Sequence, residues 1–96
     1  GCVFLLPKSH KQGLVSPLGG LISPALIAEQ DAEKRGLHLP AKAGEAMLIH
    51  NYVWHRSGTN STGKPRRAVT ICYMSAKVRC IRKKKKPRSF VAVFHR

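Results

Sequence analysis

Acidic residues are scarce in this chain. Four carboxylates stand against 18 lysines and arginines in 96 residues, giving a formal net charge of +14. All four, Glu29, Asp31, Glu33 and Glu45, lie in one middle stretch. Such an excess of positive charge is the usual electrostatic mark of a nucleic-acid partner. Half of the basic residues, however, fall within residues 77–96, around the run IRKKKKPR. The charge is therefore mainly a property of a tail, and the run has no interleaved aromatics on which single-stranded bases could stack. Cysteine is sparse as well: Cys2, Cys72 and Cys80 are an odd set with no C-x-x-C spacing. That argues against a disulfide framework and makes a reducing, cytoplasmic compartment the expectation, with each thiol a small buried or half-buried hydrophobe. No apolar run approaches the length that crosses a bilayer, so no membrane partner is expected. The opening GCVFLLP has no basic leader and does not read as a signal peptide. No internal repeat is visible. A chain of this length makes one small domain at most, and its start without methionine, within what reads as a strand, points to a fragment.

What is present reads mostly as β structure. GCVFLL, residues 1–6, is an apolar strand closed by Pro7. A loop rich in Pro, Gly, Ser and Lys follows. One short surface helix is predicted around residues 24–35, with Ser23 as N-cap, Pro24 at the first helical position and Gly36 as the stop. Beyond it come short apolar runs parted by turns: LHL, AMLIH at 46–50, YVWH at 52–55, a polar loop SGTNSTGKP, and RRAVTICYM at 66–74, the strongest strand by β-branched content. Spacings near ten residues fit an antiparallel sandwich, barrel or jelly roll. After about Ala76 the pattern breaks into a block of lysines and a late apolar run at 90–94, an edge strand or no element at all.

Two residues in the central stretch stand out chemically. If 66–74 is a strand, alternation puts Arg66 with the small residues Ala68, Thr70 and Cys72, and Arg67 with the bulky Val69, Ile71 and Tyr73. Arg66 is then the inward arginine, above a cavity wall. A guanidinium cannot shed its charge, so an inward one needs an anion, and a ligand carboxylate held by two parallel hydrogen bonds is a candidate. A strand-end surface cation is the plainer alternative. His55 ends a half-buried aromatic segment, and a neutral imidazole there is either a structural residue or a metal ligand. Trp54, facing away from His55, reads as core, and His10 and His50 as structural.

The stretch WHRSGTNSTGKPRRAV resembles the C-terminal part of the phytanoyl-CoA dioxygenase family, non-haem iron enzymes that use 2-oxoglutarate. GCVFLLPKSHKQG is similar to that family's strand and loop G-C-L-x-x-x-P-G-S/T-H-K-x-G, and AGEAMLIH to its A-G-D-x-x-x-F-H turn. The pieces occur in the family's order, and the likeness covers residues 1–75. It implies a double-stranded β-helix, a jelly-roll or cupin-like fold, of which residues 1–76 would be the C-terminal part and 77–96 a divergent basic tail. It implies that His55 binds Fe(II), and that Arg66, with Ser57 beside it, holds the far carboxylate of the 2-oxoglutarate co-substrate while a small-molecule substrate is hydroxylated.

The family's other two ligands, a His-x-Asp pair, are absent from this sequence: none of its five histidines is followed two residues later by Asp. The pair is expected upstream of Gly1. The chain is therefore read as a fragment of a dioxygenase, inactive and poorly folded alone, with substrate and oligomeric state open. Lys8 stands where the family has glycine, which would strain the loop if that position needs a positive φ. The rival reading is a small basic nucleic-acid-binding protein acting through KKKKPR; it leaves the His55-to-Arg66 pattern unexplained.

Overall fold

The computed structural model describes residues 1–16, 20–81, 83 and 85–93. The chain divides into two compact units, Gly1–Arg66 and Arg67–Arg96. The first unit is built on a three-stranded antiparallel sheet: β1 (Val3–Leu5) in the centre, β2 (Leu37–Leu39) on one side and β3 (His55–Ser57) on the other. Val3 pairs with Leu39 and Ser57, Phe4 with His38 and Arg56, and Leu5 with Leu37 and His55. The β1–β3 ladder continues past both ends. The Leu6 N–H donates to the Trp54 carbonyl at 2.9 Å, and the Gly58 N–H to the Cys2 carbonyl at 3.1 Å.

Pro7 ends β1, and the chain turns through one 3-10 turn, Ser9–Gln12. Lys8 enters it at φ 63°, ψ 2°, in the left-handed region. This is the position where a glycine is expected, and the residue there carries the side-chain strain that glycine avoids. Ser9 fastens the corner. Its side chain is 2% exposed; its hydroxyl donates to the Leu6 carbonyl at 2.6 Å and accepts the Trp54 N–H at 2.8 Å. Leu6 and Trp54 are the buried apolar residues among those described, so the core lies at this corner, and Trp54 belongs to it as expected.

The helical segment is present but divided. Ser23 Oγ accepts the Leu26 N–H at 3.3 Å, and Pro24 opens α1 (Pro24–Glu29). Asp31 then adopts φ 49°, ψ 41°, and α2 (Ala32–Arg35) follows. A short polar side chain tolerates the left-handed region better than most, and one such residue is enough to break the expected single helix. α2 stops at Gly36, whose backbone turns extended at φ −63°, ψ 142°, and where an added Cβ would meet the Ala32 carbonyl oxygen at 3.0 Å.

Two expected strands are not formed. Residues 46–50 and 66–74 are irregular, with Leu48 at 98% and Val69 at 88% exposure. β-propensity expresses how well a side chain fits a pleated, partnered surface, and without a neighbouring strand it has nothing to act through. The alternation that singled out Arg66 over Arg67 therefore has no strand to operate in. Residues 90–93 form no strand either, while Phe94 lies outside the described residues. Cys2 and Cys80 are half-buried, but Cys72 is exposed, unlike the buried or half-buried thiol expected of it. Among the described residues no helix is long and apolar enough to cross a membrane.

Candidate active site

β3 is the element that sets the site. Its sequence, His-Arg-Ser, has little strand character, and β1 organises it by pairing. Alternation puts His55 and Ser57 on one face of the sheet and Arg56 on the other. On the Arg56 face a stack forms: the Arg56 guanidinium lies 4.2 Å from the Phe4 ring centroid, and Phe4 stacks on His38 at 4.6 Å. Arg56 also donates to Glu33 of α2 at 2.9 Å, an exposed pair that orients more than it stabilises. The Cys2 thiol lies against Nε2 of His38. Arg56 thus ties α2 to the sheet. Reading the sequence alone missed it, although its register opposite Phe4 follows once β1 and β3 are paired.

On the opposite face, the His55 ring meets the carbonyl of Val53, with Nδ1 2.9 Å from the oxygen. A carbonyl can only accept, so Nδ1 carries the proton and Nε2 keeps its lone pair. A backbone carbonyl fixing one ring nitrogen while the other points outward is the usual support of a metal-binding imidazole. His55 is exposed and is one of the residues around an open, largely apolar hollow of about 530 Å³, together with Leu14, Ile22, Ile27 and Trp54. Ser57 and Arg66 are not among its described lining residues.

The loop from β3 to Arg66 is held by Asn60. Its Oδ1 accepts the Thr62 N–H at 3.1 Å and the Thr62 hydroxyl at 2.7 Å, and its amide donates to the Lys64 carbonyl at 2.7 Å. Gly63, at φ 72°, completes the turn. Arg66 follows, exposed and without a hydrogen bond or ion pair among the described residues. His10 and His50 pack ring against ring at 5.2 Å, and His50 Nδ1 accepts the Tyr52 N–H at 3.0 Å. Residues 46–50 form no strand, so His50 is placed by these contacts and not by a sheet. Among the described residues no three His, Cys, Asp or Glu side chains converge as a metal site. His55 fits a metal as one ligand, and the described residues supply no complete set.

Comparison with known proteins adds a lineage to this geometry. The family model "Phytanoyl-CoA dioxygenase (PhyH)" matches residues 1–68. A methylphosphonate hydroxylase of Gimesia maris is 31% identical over 74 residues, covering 76% of this chain and 27% of that protein. Phytanoyl-CoA dioxygenase domain-containing protein 1 of Danio rerio is 31% identical over 83 residues, and that of Bos taurus 28% over 83; each alignment covers 79% of this chain and 28% of the relative. The chain thus spans little more than a quarter of the length of these relatives. No solved structure matches it.

Proposed function

The chain belongs to the phytanoyl-CoA dioxygenase family, and from that premise we propose that it is the C-terminal portion of the double-stranded β-helix of an Fe(II)- and 2-oxoglutarate-dependent hydroxylase. The carrying observation is the His55 ring, whose Nδ1–H is committed to the Val53 carbonyl and whose Nε2 is free to ligate. In this reading His55 is the one histidine ligand given by this chain, and the family's His-x-Asp pair comes from outside this sequence. Three protein ligands of that kind leave positions open for co-substrate and oxygen. When bound, the metal and the keto acid supply the oxidising chemistry.

The chain's own residues position and shelter. The Val53 carbonyl holds the imidazole in one tautomer and raises its basicity as a ligand. Arg66 offers a planar fork that matches a carboxylate, and Ser57 a hydroxyl for the same anion. The Asn60-braced loop sets the reach from β3 to Arg66. The open, largely apolar hollow beside His55 offers an apolar wall to a small-molecule substrate.

The test is succinate release from 2-oxoglutarate by the polypeptide carrying the complete site. His55→Ala is expected to abolish turnover together with iron retention. Arg66→Ala is expected to weaken oxoglutarate binding about 100-fold, the loss of two charge-assisted hydrogen bonds, while iron is retained. Undiminished iron retention and turnover in His55→Ala would refute the assignment. The isolated 96-residue chain is expected to give no turnover.

A further inference from the structure

The family match ends at residue 68, and the basic tail is not accounted for by the hydroxylase reading. Residues 77–93 carry eight lysines and arginines, and no acid occurs anywhere after Glu45. Lys83, Lys85, Lys86 and Arg88 are exposed and make no hydrogen bond or ion pair among the described residues. Arg79, by contrast, is spent on the Ala76 and Val78 carbonyls at 2.6 and 3.0 Å. Beside these cations stand fully presented aliphatic groups: Ile81 is 89% exposed and Val91 93%.

We infer that Lys83, Lys85, Lys86 and Arg88, with Ile81 and Val91, form a peripheral docking strip for an anionic lipid surface. A partner must satisfy both halves of the pattern. A nucleic acid would neutralise the lysines, but it offers aliphatic side chains no stacking and little burial. An anionic bilayer meets both: headgroup charge attracts each basic side chain near the surface, and the boundary between headgroups and acyl chains accepts Ile81 and Val91. No spanning helix is required, since attachment by several cations and shallow apolar insertion lies on the membrane without crossing it.

The test is flotation of the full 96-residue chain with vesicles of phosphatidylcholine alone and of phosphatidylcholine mixed with phosphatidylserine, beside binding to a duplex DNA oligonucleotide. Flotation separates lipid-bound chain from aggregate. The chain should float with the serine-lipid vesicles only, and less as salt rises. The combined variant Lys83→Gln, Lys85→Gln, Lys86→Gln should lose at least about tenfold in affinity. The pair Ile81→Ser, Val91→Ser should also lose about tenfold on vesicles while its DNA binding stays unchanged. Absent flotation, or equal flotation with phosphatidylcholine alone, would overturn the proposal. So would an Ile81→Ser, Val91→Ser variant that floats as well as the parent, which would leave a bare polycation better suited to nucleic acid. Each of these results is independent of whether His55 binds iron.

Discussion

At the scale of single residues, Lys8 and His55 carry the most information. Lys8 holds φ 63°, in the left-handed region, at a conformational cost of roughly 1–2 kcal/mol for a residue with a Cβ. Lys8→Gly should therefore tighten the corner by about 1 kcal/mol. The readout is amide exchange at Lys11, whose N–H donates to the Lys8 carbonyl at 3.1 Å; it should slow about fivefold. Faster exchange would mean that the lysine side chain itself holds the turn. Lys8 could be anticipated from the sequence because the demand is local to one φ angle. Arg56 could not, because its partners Phe4 and Glu33 are 52 and 23 residues away in sequence and meet it only through pairing.

At the scale of elements, the sequence was a good guide where structure is set within a few residues. β1, the Ser23 cap, Pro24 at the helix start and the stop at Gly36 are all present. It failed where structure depends on a partner. The strand at His55–Ser57 forms from polar residues because β1 supplies a ladder, while the β-rich stretch at 66–74 pairs with no strand among the described residues and stays irregular. Ser9 is the joint between these elements, since its buried hydroxyl serves both Leu6 and Trp54. Ser9→Ala leaves the Trp54 N–H buried without that acceptor, a loss of about 1–3 kcal/mol. Exchange of the Trp54 amide should rise at least about fivefold. Unchanged exchange would show that the hydroxyl is not what closes the corner.

For the whole molecule, the balance of burial governs behaviour. Leu6 and Trp54 are the apolar residues buried among those described, while Leu21, Leu48, Ile81 and Val91 stand almost wholly exposed. So little burial cannot offset the chain entropy of nearly a hundred residues. The isolated chain should melt in urea over a broad range with a small m-value; a sharp, cooperative transition would contradict this. The site is only partly legible for a related reason: a histidine can be oriented by its own backbone, whereas the described residues bring no three metal-ligating side chains together.

The central claim is that the Val53 carbonyl holds His55 in the tautomer that leaves Nε2 open to a metal. A two-bond proton–nitrogen correlation spectrum of the neutral His55 ring, recorded on the polypeptide carrying the complete site, reads this directly. The account predicts a protonated Nδ1 and a bare Nε2. A ring carrying its proton on Nε2 would contradict it.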